Sequence, residues 1–569
     1  MNDKYRISGA KDFIKENKWF RDKNHRYVLF RGINIGSRSK LHPYLPIFPL
    51  QNASPSLENL MKEIEKVNPQ IDILVSLGFN IVRLLVMWKA IEPYPNPDLD
   101  NLLPEGKQYL NLVNHIVDKL YSKGLFTIID FHQDLAHDVY GGDGFPDWAL
   151  AIDLLHGKPL EPSTLKDRYW STQYNINYLV RHTLQSFWKN DLTNIEMGLK
   201  NYPVRTHLEK TIGQTVKFFK TIHGPVDHPA ILGYSPFNEP HQVGIDKKLF
   251  EEKFLNEFYT NVLEEINKVD DNTFIFIEPR VDWTVYPASG NILNEFSFIN
   301  NSNQIQTFLL DNSQFVERFA SNGVFSFHYY DPWTISYGFL NIPDNMDNKK
   351  KEWPTIFSKL NESAISGGLI PFLTEFGGSQ DWEKLYSSFP PSNIYHNKQI
   401  RAYMDLQFIQ IEKYLLNATY WNYDFYNTID NKDNWNLENF SLLGPNRTPR
   451  NLDIIARPYP LYSSAEPQFL SFNLESLYSV IILKGPIVDA PTIIYIPYNI
   501  HYKPLFRIWT TNDNVEWNSE QQMLYWYPDK NKLINQIIIT PSEDLNESLL
   551  PDQSKNFLNN INYRELGNR

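Results

Sequence analysis

The chain has 569 residues, long enough for a large enzyme domain plus an accessory one with a substantial core. Its 54 Lys and Arg against 66 Asp and Glu leave a net charge of −12, which repels a phosphate backbone, so nucleic acid is not an expected partner. The absence of cysteine excludes disulfides, thiolate metal sites and a cysteine nucleophile, and with no apolar stretch between Met1 and Glu16 it predicts a cytoplasmic protein; no run reaches the ~18 apolar residues that a membrane-spanning helix needs.

In chain order, short β-branched runs alternate with longer amphipathic stretches, the pattern of parallel strands joined by crossover helices. Eight strands are predicted, at Val28–Asn34, Asn80–Leu85, Phe126–Asp130, Gly233–Asn238, Thr273–Glu278, Val324–His328, Leu369–Thr374 and Ala418–Tyr423. Apolar residues at three- and four-residue spacing predict helices at Leu57–Leu77, Gln108–Lys123, Thr211–Ile222, Phe250–Val269 and Ile400–Leu416. Eight such units make an α/β protein with a (β/α)8 barrel over residues 1–460. A helical insertion at about 135–211 is expected to roof its pocket. After Arg457-Pro458-Tyr459-Pro460 the pattern changes to short strands such as Phe469–Leu474, Ser479–Leu483, Thr492–Pro497 and Leu533–Thr540. Residues 461–569 therefore read as an all-β sandwich domain, with the charged tail from about Leu549 poorly ordered.

Barrel enzymes assemble their sites from the C-terminal ends of strands. Here the strands end, in order, on Asn34, Arg83, His132 with Asp134, Asn238 with Glu239, Glu278, His328 with Tyr330, Glu375, and Trp421. Glu239 closes Phe237-Asn238-Glu239-Pro240, and Glu375 lies in Leu373-Thr374-Glu375-Phe376-Gly377. Two strand-end glutamates suffice to cut a glycosidic bond when their surroundings differ: one stays protonated to donate to the departing oxygen, and the other is ionised and attacks or activates water. His132, Asp134, Glu239, Glu278 and His328 are also potential metal ligands. No H-E-x-x-H or comparable spacing accompanies them, however, and the glutamate pair needs no metal, so neither metal nor cofactor is expected. The Gly141-Gly142-Asp143-Gly144 run lacks the G-x-x-x-x-G-K-[ST] pattern of a phosphate loop.

Six ordered segments carry a family resemblance: Arg31-Gly32-Ile33-Asn34 through Ser39-Lys40; Asp130-Phe131-His132-Gln133-Asp134; Gly142-Asp143-Gly144-Phe145-Pro146-Asp147-Trp148; Phe237-Asn238-Glu239-Pro240; Leu373-Thr374-Glu375-Phe376-Gly377; and Arg457-Pro458-Tyr459-Pro460. Over about residues 28 to 460 the chain resembles family 5 of the glycoside hydrolases, in the branch of endoglycoceramidases and related glucosylceramide and steryl-glucoside hydrolases. The resemblance implies that Glu239 is the acid/base and Glu375 the nucleophile of a configuration-retaining reaction. It implies that Asn238 binds the sugar 2-hydroxyl and that Lys40, His132 and Asp134 hold the remaining hydroxyls of a glucose ring. Trp421 is expected as the floor beneath the sugar. Arg83 is expected under Glu375, keeping it ionised, with Tyr330 donating to the same carboxylate and His328 orienting the site through hydrogen bonds.

The expected partner is a glycolipid, glucosylceramide before steryl glucoside or a longer glycosphingolipid, with peripheral membrane contact compatible with the 15% aromatic content. The aromatic and aliphatic residues of Trp148-Ala149-Leu150-Ala151-Ile152 and Tyr329-Tyr330-Asp331-Pro332-Trp333 either line a groove for the lipid or hold the insertion onto the barrel. A cellulose-type endoglucanase would need an open cleft, which a roofing insertion opposes. A catalytically silent sugar-binding protein would have no use for both glutamates beside Arg83 and Tyr330.

Overall fold

The computed structural model describes residues 9–49, 55–150, 171, 173–191, 203–224, 228–281, 307–331, 346–380, 393–430, 433–436, 438–512, 514–541, 544–556, 558 and 562–567. Eight parallel strands close into a barrel: β4 (Arg31–Ile35), β5 (Ile81–Met87), β6 (Phe126–His132), β7 (Ile231–Ser235), β8 (Phe274–Ile277), β9 (Gly323–Tyr329), β10 (Ile370–Phe376) and β11 (Asn417–Tyr420). The circle is completed by β11, which pairs with β10 through Leu373 opposite Ala418 and with β4 through Ala418 opposite Arg31. Every described position in these strands is buried, as expected when helices cover the outside of a closed parallel sheet and side chains fill its inside.

The crossover helices follow local sequence rules. Helix Leu57–Ser76 begins where the Ser56 side chain accepts the Asn59 N–H at 3.2 Å, and it buries Leu60, Ile64, Val67, Ile71 and Leu74 along one face. Helix Pro104–Ser122 opens on a proline at its first position, where no backbone donor is lost from the helix. Among the described residues, no helix is long and apolar enough to cross a membrane.

The second unit pairs a seven-stranded sheet with a five-stranded one over a shared core that includes Leu470, Ile481, Ile493, Phe506, Leu524 and Trp526. It is not formed by the C-terminal segment alone. Three N-terminal strands, β1 (Ile14–Glu16), β2 (Trp19–Arg21) and β3 (Tyr27–Val28), extend the larger sheet through pairing of β3 with β12 (Tyr459–Ser463), ahead of β15 (Thr492–Tyr495), β18 (Met523–Trp526) and β17 (Val515–Asn518). The smaller sheet runs β13 (Glu466–Phe472), β14 (Ser479–Lys484), β19 (Ile534–Pro541), β16 (Leu505–Thr510) and β20 (Asn562–Gly567). The tail expected to be poorly ordered therefore returns as an edge strand. Its run Asn562–Gly567 pairs antiparallel with Leu505–Thr510, where backbone hydrogen bonding outweighs its charged composition.

An ion-pair cluster and an aromatic cluster are among the contacts that seat this unit on the barrel. Arg457 grips Glu412 with Nε at 2.5 Å and Nη2 at 3.1 Å and reaches Asp405 at 2.7 Å, both acids lying on helix Asn393–Lys413. At the barrel's N-terminal end, Phe20 stacks edge-on against Phe30 (5.1 Å) and Phe274 (4.9 Å), and Phe13 against Phe126 (5.0 Å). An aromatic plug thus closes the end of the barrel opposite the strand-end acids.

Part of the 135–211 insertion lies outside the described residues. Its helix Tyr178–Lys189 packs Trp188 against Phe237 at 5.0 Å, immediately before Asn238, and Trp188 Nε1 donates to the His241 carbonyl at 3.1 Å.

Candidate active site

All ten residues singled out from the sequence meet at the C-terminal end of the barrel. Arg83, fully buried at the end of β5, is the hub. Its Nη1 donates to Glu375 Oε1 at 2.5 Å and to Asn34 Oδ1 at 3.1 Å; its Nη2 reaches Asp130 Oδ1 (2.8 Å), Asn238 Oδ1 (2.9 Å) and Glu278 Oε1 (2.9 Å). The planar, always charged guanidinium shares the four N–H of its two terminal nitrogens among these five acceptors, one of them necessarily in a three-centre bond, whereas a lysine has three N–H on one nitrogen. Tyr330 donates its hydroxyl to Glu375 Oε2 at 2.8 Å, so each oxygen of that carboxylate is held by a different donor.

Glu239 stands in different surroundings. Its backbone is left-handed, with φ of 46°, and its N–H donates to Glu278 Oε2 at 2.7 Å, so a strained residue is pinned by a neighbouring strand end. Burial pushes its carboxyl up to about 7, and the charge of Glu375 adds to this, against the lowering effect of the His328 hydrogen bond. His328 Nδ1 lies 2.7 Å from Glu239 Oε1 and 3.6 Å from Glu375 Oε2. One ligand atom from each of these three residues falls within 4.8 Å of the others. Burial alone would raise Glu278, but His328 and Arg83 hold it down to about 2.

The opposite wall is built around Asp134. Lys40, on a short turn after β4, donates to Asp134 Oδ2 at 2.5 Å, and His132 Nε2 lies 3.3 Å from the same oxygen while its Nδ1 meets Asp130 Oδ2 at 2.8 Å. Burial and Lys40 oppose protonation of His132, yet Asp130 and Asp134 raise it to about 9. Burial would raise Asp134, but Lys40 and His132 bring it to about 2. Trp421 lies parallel to the His132 ring, 9° off at 5.7 Å, with the Lys40 ammonium 4.9 Å from its ring centre. Asn238 is clasped to this wall: its Nδ2 donates to the Gln133 carbonyl at 3.1 Å and Gln133 Nε2 returns a bond to the Asn238 carbonyl at 2.9 Å.

Among the described residues three groups have the spacing of metal ligands, two of them in this pocket, Glu239–His328–Glu375 and His132–Asp134–Asp143, and the third, Asp118–His223–His228, outside it. In the first, the histidine already bonds to a carboxylate, which arranges an acid and an ionised partner for proton transfer. Several participants were not singled out in the sequence. Asp130, Gln133 and Asp143 stood inside recognised motifs, Glu278 was a strand-end acid without an assigned partner, and Trp435, whose ring centre lies 3.6 Å from Lys40 Nζ, and Glu438, which accepts from Trp421 Nε1 at 3.4 Å, carried no periodic or motif signal of their own.

The aromatic stretches left open by the sequence resolve towards packing where they are described. Trp148 is buried against Trp88 (5.3 Å) and His207 (4.8 Å), its Nε1 donating to the Glu92 carbonyl at 3.0 Å. Tyr329 packs on Trp353 and Phe357. Residues 151–152 and 332–333 lie outside the described residues.

Comparison with known proteins gives the family and the fold. The chain is 21% identical to a glucosylceramidase of Rhizopus delemar, the alignment covering 85% of this chain and 89% of the relative. It is 23% identical to an endoglycoceramidase of Hydra vulgaris, over 95% and 93% of the two chains. Among solved structures it is similar to Cryptococcus neoformans sterylglucosidase 1, with a TM-score of 0.69 at 15% identity over 94% of this chain and 98% of that one. It is also similar to endo-glycoceramidase II from Rhodococcus sp. in a ganglioside GM3 complex, with a TM-score of 0.61 at 17% identity over 93% and 100%. The family described as cellulase, glycosyl hydrolase family 5, matches residues 50–427, and with the paired glutamates at the mouth of a (β/α)8 barrel the chain belongs to that family of glycoside hydrolases.

Proposed function

We propose that the protein is a retaining β-glucosidase acting on an amphiphilic glycolipid, glucosylceramide in preference to steryl glucoside. The observation that carries the reading is the approach of a Glu239 and a Glu375 carboxylate oxygen within 4.8 Å, in unlike surroundings. That separation suits the retaining arrangement, in which the carboxyl groups stand about 5–5.5 Å apart, rather than an inverting one that leaves room for water between them. In the first step Glu375 attacks the anomeric carbon while Glu239 gives its proton to the glycosidic oxygen, breaking the bond to the aglycone and leaving a glucosyl ester on Glu375. In the second, Glu239 takes a proton from water, whose oxygen displaces Glu375 and releases glucose. Arg83 and Tyr330 position Glu375 and stabilise it as the leaving carboxylate. Burial keeps Glu239 protonated near neutral pH, as the first step requires. Asn238, held by Arg83 and Gln133, is placed to meet the 2-hydroxyl; Lys40, Asp134 and His132 form the wall for the others, and Trp421 the apolar face.

The lipid aglycone is supported by relatives, aligned over most of their length, that are named as a glucosylceramidase and an endoglycoceramidase. Incubation with glucosylceramide, a steryl glucoside and a ganglioside-type glycan, with released sugar read by mass, tests the substrate. Free glucose from glucosylceramide is the expected product; glucose from the sterol alone, or an intact oligosaccharide, would reassign the enzyme to a steryl glucosidase or an endoglycoceramidase. A 2-fluoro glucoside inactivator should label Glu375, and labelling elsewhere would overturn the assignment.

A further inference from the structure

Asp143 is an acid of the Lys40 wall without a part in the two chemical steps. It is 2% exposed, and no donor of a described residue reaches either of its carboxylate oxygens. Asp134 is an acidic neighbour of it. The two residues form a one-pair antiparallel bridge, with the Asp143 N–H on the Asp134 carbonyl at 2.8 Å, and their side chains come within 4.8 Å of each other and of His132. The turn is built for this approach. A Cβ on Gly142 would stand 1.7 Å from the Asp134 carbonyl oxygen, and Gly144, at φ of 105°, would press one against Gln133 and the His132 carbonyl at 2.7 Å. Glycine on both sides lets the loop lie flat on the strand end and turns the acid between them into the wall.

Two carboxylates with no cation bonded between them are costly in a dry site unless one carries a proton, and a buried acid without a donor is costly unless something supplies one. The two cations of this wall are both taken up by Asp134, Lys40 Nζ at 2.5 Å and His132 Nε2 at 3.3 Å from its Oδ2, and neither bonds to Asp143. We propose that Asp143 is a sugar-contacting residue of the pocket, an uncharged carboxylic acid that donates its proton to Asp134 and leaves its second oxygen open to accept a hydroxyl hydrogen of the bound sugar. Burial first, and then the Asp134 charge, push Asp143 well above the usual carboxylate range, against the lowering effect of Lys40 and His132. The pocket would then hold two protonated acids with separate tasks: Glu239 spends its proton on the leaving group, and Asp143 keeps its own to fix Asp134 and present an acceptor. The inference rests on reading this pocket as the sugar site.

Two variants and two readouts test it. Asp143→Asn keeps an N–H for Asp134 and a carbonyl for the sugar, so its KM for 4-nitrophenyl β-glucoside should stay within about threefold of wild type. Asp143→Ala should raise KM by about 10- to 100-fold with a smaller change in kcat, the effect of losing one hydrogen bond in a buried pocket. Among the 3-, 4- and 6-deoxy glucosides, the penalty wild type shows at the contacted position should vanish in the alanine variant. Infrared difference spectra between wild type and Asp143→Asn at pH 7 should show a carboxylic-acid carbonyl band lost. An asparagine variant as impaired as alanine, deoxy penalties that all persist in alanine, or no lost band would overturn the proposal. A wild-type enzyme inert on every glucoside would instead overturn the β-glucosidase reading, and the infrared band would still decide whether Asp143 carries the proton.

Discussion

The two ends of the barrel are made by the same strands with opposite chemistry. At the N-terminal end, Phe126 of β6, Phe274 of β8 and Phe372 of β10 meet Phe13, Phe20 and Phe30 in a cluster of edge-to-face rings without a charge among them. At the C-terminal end, a few residues further along, the same strands deliver Asp130, Glu278 and Glu375 to one buried guanidinium, with His132 bonded to Asp130. Burying aromatic surface stabilises the fold at about 25 cal/mol per Å². Burying charges costs several kcal/mol per ion before pairing offsets it, so the upper lattice contributes little net stability. The barrel is held together at one end and does its chemistry at the other.

Substitutions at the two ends should therefore separate activity from stability. The largest effect is expected for Glu375→Gln, which should lower kcat on an aryl β-glucoside by more than about 10⁴-fold while leaving the thermal midpoint near that of wild type. At the other end, Phe20→Ala should cost about 3–5 kcal/mol in denaturant unfolding, with kcat of the remaining folded enzyme unchanged. A fall in kcat with Phe20→Ala, or a collapse in stability with Glu375→Gln, would dissolve the contrast. Next in size, Tyr330→Phe removes a hydrogen bond to a charged group worth about 1.5–3 kcal/mol and should slow turnover by about 10- to 100-fold with KM less affected.

The smallest and most discriminating test is the pH profile. Glu239 must be protonated to act as acid, so kcat/KM should fall as pH rises through about 7, tenfold per unit beyond it. His328 lowers Glu239 through its hydrogen bond and its charge, so His328→Asn should move this limb to higher pH. A limb that stays fixed, or moves down, would remove His328 from the acid's surroundings.

The strands and the residues at their ends were readable in the chain because period and composition are local. The run Val324–His328 is observed as Gly323–Tyr329, and Leu369–Thr374 as Ile370–Phe376. Motif order placed Glu239 and Glu375 as a pair. The tail misled because its charge was weighed without the partner strand Leu505–Thr510 that accepts it. The N-terminal strands went unread for the same reason: Ile14–Glu16, Trp19–Arg21 and Tyr27–Val28 are too short to signal alone, and they join the sheet through Tyr27–Val28, which pairs with Tyr459–Ser463 and carries the other two in turn.

What the sequence determined by itself was the alternation that closes a barrel and the polar residue on which each strand stops, since both follow from neighbours a few positions apart. Only the tertiary structure decided which of those residues touch. Arg83 joins acids 47, 195 and 292 positions away, and Asp143 is pressed onto Asp134 by a turn between two glycines. A charge is set by what lies within a few ångströms in space, and no spacing along the chain records that distance.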